Sequence, residues 1–321
     1  MTNKIGDPII RVDALEKCAG RIRYVADLPF ENVIHAITIR SERPRARISE
    51  IRIPPLPDGY FTVDKDDVPG ENRVRILVHD QPFFADGFVN YIGEPIMLIV
   101  GPDREKLVEI ASQVVVEYEN IEPILTIEEA AAGDKPPIYG DDNLFVDYIC
   151  GKGDVDAAFA DAAKIIEGEY RTGYQEQMYL EPQGVVATYE DGKITAYGSM
   201  QCPYYVKNAL IEAFGWEPDR IRVVQATTGG AFGGKEEYPS LLCGQAAIAA
   251  YKTRRPVRLI LDRTEDIVAT TKRHPSIVKH RTAIDSRGRI AAMEIDVAFD
   301  GGAYAGLSDV VLQRGMFTAT V

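Results

Sequence analysis

The sequence predicts an α+β fold, and three observations carry that prediction. Apolar runs with strand chemistry are interleaved with helical stripes, but without the strict strand–helix–strand rhythm of a doubly wound sheet. Two hairpin signals stand among them, at Glu190-Asp191-Gly192 and at Asp285-Ser286-Arg287-Gly288. A glycine-rich segment, Thr228-Gly229-Gly230-Ala231-Phe232-Gly233-Gly234-Lys235-Glu236-Glu237, lies between a predicted strand and a predicted helix.

Along the chain, strands are expected around 33–40 and 96–100, with the turn-rich stretch Pro54-Pro55-Leu56-Pro57-Asp58-Gly59 between them. Leu107, Ile110, Ala111 and Val114 recur at helical spacing over 104–114, and 115–118 reverts to strand chemistry. Residues 130–142 (AAAGDKPPIYGDD) read as a linker, dividing the chain into units 1–132 and 133–321. The second unit opens with a short helix over 155–163, where Asp154 and Asp156 suit the positive end of the helix dipole. A strand follows at 164–171. Residues 185–189 and 193–197 flank the first hairpin turn, and a helix over 203–214 starts with proline. Residues 221–226 read as a buried strand and 240–251 as a helix of small residues. The second hairpin pairs 278–284 with 290–299.

A chain of 321 residues can bury large cores, and its length suggests two domains. Its 49 acidic against 36 basic residues leave a net charge of −13, which argues against nucleic acid or an anionic membrane as the main partner. No apolar run approaches the roughly 18 residues of a membrane span, and the N-terminus lacks a signal peptide's apolar core, so a cytoplasmic protein is expected. Cys18, Cys150, Cys202 and Cys243 are widely spaced and are expected to be reduced, mostly buried thiols. Iron–sulfur clusters need grouped thiolates, so this chain does not hold one alone.

Four glycines in six residues are costly in folding entropy unless positive φ or close backbone approach requires them. Gly229 and Gly234-Lys235 satisfy the phosphate-loop spacing, but Glu236 occupies the place where magnesium needs a hydroxyl. The dinucleotide spacing G-x-G-x-x-G is absent as well. Two readings remain: a turn that packs a helix on a sheet, or a backbone cradle for another large anionic cofactor. Gln201 follows a strand and precedes a helix; its neutral amide suits either a helix-start cap or the holding of an oxo or hydroxo ligand.

The run GGAFGGKEE resembles the glycine loop of the molybdenum hydroxylase large subunits, the xanthine dehydrogenase and aldehyde oxidase family. Asp13-Ala14-Leu15-Glu16-Lys17 with Gly20, Arg40-Ser41, and Val115-Val116-Glu117-Tyr118-Glu119 are similar to that family's N-terminal domain. Gly153-Asp154, Leu180-Glu181-Pro182, Gln201, Asp262-Arg263 and Arg273-His274-Pro275 continue the likeness in the family's order, over essentially the whole chain. The resemblance implies an α/β hammerhead-like domain over 1–132 and the first part of a molybdopterin-binding domain over 133–321. It implies that Gln201 hydrogen-bonds a molybdenum ligand, and that the backbone at Gly230, Phe232 and Gly233 approaches the metal's ligands and the pterin. Lys235 is then a loop-ordering or surface cation. Glu236, in preference to Glu237, would line the substrate pocket as in purine hydroxylases, where aldehyde oxidases carry an apolar residue. Arg314 would meet the substrate's oxygen, its alternative being a plain helix-surface arginine. Arg273-His274-Pro275 reads as structural. Glu94, in Gly93-Glu94-Pro95, shares the local context of the family's catalytic base but lies in the wrong domain, and no catalysis is assigned to it.

The implied cofactor is a molybdenum–molybdopterin, the cytosine dinucleotide among its forms, with 2Fe–2S and FAD on partner subunits. The implied reaction is hydroxylation of a purine or related N-heterocycle with oxygen from water. Aldehyde- or nicotinate-type hydroxylation is the alternative within the class, and a non-catalytic assembly subunit the alternative outside it. The family's Arg-Gly-rich pterin loop and general-base glutamate lie beyond the residues matched. The expectation is therefore an N-terminal portion with no catalytic residue of its own, a partner in a hetero-oligomer with the C-terminal molybdopterin-binding half, and inactive alone.

Overall fold

A computed structural model describes residues 5–319; the first four residues of the unit 1–132 and the last two of 133–321 lie outside the described residues. Following the exposed helix α1 (Ala14–Cys18) come β1 (Ile34–Arg40), β2 (Ala46–Arg52), β3 (Phe61–Val63), β4 (Phe88–Val89) and β5 (Pro95–Gly101). Helix α2 (Arg104–Ala111) then leads to β6 (Val115–Asn120) and α3 (Ile127–Ala132). Asp103 starts α2 by accepting from the amides of Glu105 and Lys106, at 2.8 and 3.3 Å. The predicted linker opens inside α3, which Thr126 caps and Gly133 ends at φ +66°.

The chain continues through α4 (Val155–Ala160), β7 (Lys164–Thr172), β8 (Gly184–Glu190), β9 (Lys193–Gly198), α5 (Pro203–Phe214), β10 (Ile221–Gln225) and α6 (Tyr238–Thr253). It ends with β11 (Val257–Ile260), α7 (Arg263–Ala269), β12 (Ser276–Ile284), β13 (Ile290–Phe299) and α8 (Ser308–Ala319). Asp191 and Gly192 both take positive φ, 50° and 76°, which gives the β8–β9 hairpin the twist its strands need.

Seven strands form one sheet in the order β10-β9-β8-β11-β1-β5-β3. Its seam is the parallel pair β1–β11, with Ile34 opposite Val257. Strands from both sides of residue 132 thus share a sheet, and they share a core: Val63, Leu98 and Val100 belong to one cluster with Val185, Ala246 and Val257. Alternate β5 residues, Met97 and Ile99, join Ile39, Leu107 and Ile110 in a second cluster beneath α2. Both faces of β5 are therefore covered, which is why it reads as an unbroken apolar run. Helix α6 lies buried from Tyr238 to Ala250. Its small residues let it sit close: a Cβ at Gly244 would fall 2.0 Å from the Phe83 ring. Two three-stranded sheets, β13-β12-β7 and β4-β2-β6, complete the architecture.

Two expectations need correction. The strand β10 is a sheet edge, not a buried strand, and of its residues Ile221 alone is fully covered. The thiols are not mostly buried: Cys243 is, Cys202 is half-buried, and Cys18 and Cys150 are exposed. No helix among the described residues is long and apolar enough to cross a membrane.

Candidate cofactor and substrate site

The glycine loop joins the end of edge strand β10 to the start of buried helix α6. Gly230 and Gly233 take φ of +101° and +94°, and Phe232 between them takes +52°, a left-handed conformation that costs a side-chain-bearing residue about 1 kcal/mol. Phe232 is 77% exposed, so it does not anchor the loop in the core. The glycines fall into two kinds. A Cβ at Gly229 would lie 2.5 Å from Glu181 Cβ, at Gly230 3.1 Å from Tyr179 Cβ, and at Gly234 2.6 Å from Tyr179 Cε1. These three let the loop press on the segment 177–181. A Cβ at Gly233 would meet nothing within 4 Å; it faces open space.

Beneath the loop lies a network of buried polar groups. Glu181 Oε2 accepts from Ser199 Oγ at 2.7 Å, the Gly229 amide at 2.7 Å and Lys235 Nζ at 3.0 Å. Lys235 is fully buried, donates also to Ser199 Oγ at 2.9 Å, and stands over the Tyr179 ring. Of the two roles expected for it, loop-ordering holds and surface cation does not. Burial pulls its pKa down while Glu181 resists. Tyr179 donates its hydroxyl to Asp266 at 2.7 Å, and Gln183 donates to the Gly234 carbonyl at 2.6 Å and to the Tyr179 hydroxyl at 3.1 Å. Asp266, raised by burial, comes from α7; the likeness at Asp262-Arg263 marks the start of that helix but does not single out Asp266. Glu181 had its signal in Leu180-Glu181-Pro182.

Gln201 is exposed beside this loop, and its side chain does not cap α5. Its Oε1 accepts from the amides of Gly233 at 3.0 Å and Lys235 at 3.3 Å, while its own amide donates to the Lys235 carbonyl at 2.8 Å. The three predicted cofactor residues Gln201, Phe232 and Gly233 therefore meet at one place, with Gly230 directly behind against Tyr179.

A cavity of about 500 Å³ opens in front, lined by Gln177, Phe232, Gly233, Glu236 and, on the α8 side, Val311 and Gly315. Glu236 is half-buried at its edge. Arg314, adjacent to Gly315, is exposed; it and Glu236 act from opposite directions on the charge balance of the Cys202 thiol, whose pKa burial raises. Glu236 and Arg314 therefore both lie within electrostatic reach of Cys202, the residue after Gln201, although Arg314 is not among the residues that line the cavity. Glu237 borders the same cavity but is engaged: its Oε2 accepts from the Leu307 amide at 3.0 Å, and burial, with Glu236 and Asp80 nearby, pushes its pKa up to about 7. Arg273 donates to Gln175 Oε1 at 2.6 Å and His274 meets Ser308 Oγ at 3.0 Å, both joining backbone segments. Glu94 lies fully buried and is not among the residues that line the cavity; it is bound by the Tyr304 hydroxyl and, at 2.5 Å, by the Asn90 amide.

Residues 140–321 match the sequence profile of the molybdopterin cofactor-binding domain, and residues 19–122 that of the aldehyde oxidase and xanthine dehydrogenase a/b hammerhead domain. The chain belongs to the aldehyde oxidase and xanthine dehydrogenase family. It is 33% identical to the nicotinate dehydrogenase large molybdopterin subunit of Eubacterium barkeri, over 97% of this chain and 73% of that one. It is 36% identical to the xanthine dehydrogenase of Blastobotrys adeninivorans, over 98% of this chain but 23% of the relative. The aldehyde oxidoreductase structure from Desulfovibrio desulfuricans superposes with a TM-score of 0.87 at 26% identity, over 97% of this chain and 36% of that one. The chain thus spans 73% of the first relative and 23% and 36% of the other two.

The loop fits the group that this family binds. Gly233 offers a face where a side chain would have stood, and Gln177 Oε1, buried at the cavity wall without a hydrogen-bond partner, is an acceptor waiting for a donor. The backbone of Phe232 and Gly233 and the side chain of Gln201 are the groups placed to hold it.

Proposed function

We propose that this chain is the molybdenum-binding part of a hydroxylase acting on a purine or related N-heterocycle. The observation that carries the reading is the cavity where the open face of Gly233 and exposed Phe232 meet Glu236 and the wall of α8, with Gln201 bound to the Gly233 amide beside it. When bound, the molybdenum–pterin group supplies two-electron oxidation of a carbon centre with oxygen from water. The chain's own residues bind and orient. Gln201 pins the Gly233 and Lys235 amides, keeping the backbone face of the loop in place. Glu236 shares a proton with a ring nitrogen, and the Arg314 guanidinium meets an oxygen on which negative charge grows. An aldehyde has no use for either group.

The division at 132/133 is proposed as a boundary of family modules. The remaining walls of the site are assigned to a C-terminal molybdopterin-binding half, and onward electron transfer to 2Fe–2S and FAD subunits, in a cytoplasmic complex. Large apolar side chains at the surface support such partners: Ile149, Leu180 and Tyr204 are 95%, 90% and 78% exposed. A permanent interface of this kind buries above roughly 2,000 Å².

A nicotinate-type substrate is the second reading, favoured by the relative of which this chain spans 73%. Purification of the native complex, with molybdenum and pterin analysis and assays on hypoxanthine, xanthine, nicotinate and aldehydes, tests both. Bound molybdenum and preference for a purine support the first reading; preference for nicotinate selects the second. A complex that contains this chain but no molybdenum, or one that prefers aldehydes, overturns the proposal.

A further inference from the structure

We propose that the turn 304–308 is a clamp that sets α8, and with it Arg314, against the glycine loop, with Glu237 and Asp80 as its positioning residues. The proposal rests on the reading of the 500 Å³ cavity as the substrate site. Four anchors converge on five residues of this turn. The Leu307 amide donates to Glu237 at 3.0 Å, and the Ala305 amide donates to Asp80 Oδ2 at 2.5 Å. Ser308 Oγ meets His274 Nε2 at 3.0 Å, and the Tyr304 hydroxyl donates to Glu94 while accepting from Asn90 Nδ2 at 3.1 Å. The anchors come from three places distant in sequence: the stretch 80–94, the end of the glycine loop, and the segment before β12.

Gly306 shows how closely the turn is pressed. It takes φ +47°, and a Cβ there would stand 2.7 Å from a Glu237 carboxylate oxygen. Both acids at the end of the glycine loop border the cavity, and Glu237 in addition holds the turn from which the opposite wall rises. Beyond that turn α8 is weakly embedded. Ser308 is its one buried residue among those described, and its next side-chain hold is exposed, with Tyr148 donating to Asp309 at 2.9 Å. The place of Val311, Arg314 and Gly315 relative to the loop is therefore decided at 304–308. The backbone amides of α8's approach are satisfied by carboxylates from elsewhere in the fold, so removal of either acceptor frees the helix at the end where it is fixed.

Amide hydrogen exchange of the chain, with α5 as internal reference, reads the clamp directly. Asp80→Ala and Glu237→Ala should each speed exchange over 307–311 by about tenfold, the effect of one lost hydrogen bond to a charged acceptor. Glu237→Gln keeps an acceptor oxygen and should stay within about threefold of wild type. In the assembled enzyme the two alanine variants should raise KM for the heterocycle about tenfold with kcat little changed, and Glu237→Gln should restore it. Asp80 is half-buried in a loop, so its alanine variant decides the matter if Glu237→Ala does not fold. Unchanged exchange in Asp80→Ala overturns the clamp, and faster exchange with unchanged KM overturns its positioning role. Failure of the substrate-site reading shows separately, as an Arg314→Met enzyme with wild-type KM for every substrate.

Discussion

The glycine-loop wall of the cavity rests on buried polar bonds that reach across the chain, whereas the α8 wall is fastened at one end and beyond it is only half-buried. Glu181, Ser199, Lys235, Tyr179, Gln183 and Asp266 tie the loop to three other elements, each through a bond between buried or half-buried atoms. On the other side the hold is concentrated in the turn before α8. The difference suits the two tasks. A large group that must be held at fixed distances needs a wall that does not yield, while a wall that meets varied small molecules can adjust about one end.

The largest expected effect breaks the rigid side. Lys235→Met leaves the Glu181 carboxylate without its cation in a nearly buried setting and should cost about 4 kcal/mol of stability, read from the denaturant midpoint. A loss below about 1 kcal/mol would mean the pair does not hold this wall.

A pH series sharpens the other side. Burial pushes Glu94 and Glu237 up to about 7, from 4.5, although Tyr304 and Asn90 for the first, and the Leu307 amide for the second, pull back. The native state then keeps protons that the unfolded chain has already released. Stability should fall as pH rises from about 4.5 to 7, by on the order of 3 kcal/mol for each group, and level off above. Denaturation at stepped pH should show that slope, and Glu94→Gln with Glu237→Gln should flatten it.

The two kinds of glycine give a smaller contrast. Gly229→Ala forces a Cβ into Glu181 and should cost about 2 kcal/mol. Gly233→Ala meets no protein atom and carries only left-handed strain of about 1 kcal/mol, yet it should lose pterin content in the assembled complex. Equal pterin loss in both would remove the distinction between packing and ligand-facing positions. Smallest in stability is Arg314→Met, expected below about 0.5 kcal/mol because the side chain is exposed. Its effect should appear in specificity, as a shift from purines towards aldehydes of about tenfold in kcat/KM.

Local chemistry was legible in the sequence, and distant pairing was not. Helix α5 falls on the residues expected of it, because a proline opens it and Gly215 closes it in the left-handed region. Both hairpins were announced by their turns. Gln201, Phe232 and Gly233 could be grouped from the family likeness. Lys235 could not be seen as buried, since its partner Glu181 lies 54 residues upstream and a lysine beside two glutamates reads as a solvated charge run. The hold of Glu237 on the Leu307 amide joins residues 70 positions apart and had no local signal either. Nor does any periodicity state that β11 joins β1.

That last pairing has a consequence for how the chain comes into being. Residues 34–35 wait for partners at 257–258, so the central sheet cannot close until residue 258 has left the ribosome. In the interval β1, β5 and β3 can form an antiparallel trio from nearby segments, with one side of β1 unpaired and apolar. The nascent protein passes through a stage in which a sticky strand border is on show, and the arrival of a four-residue strand, Val257–Ile260, is what hides it.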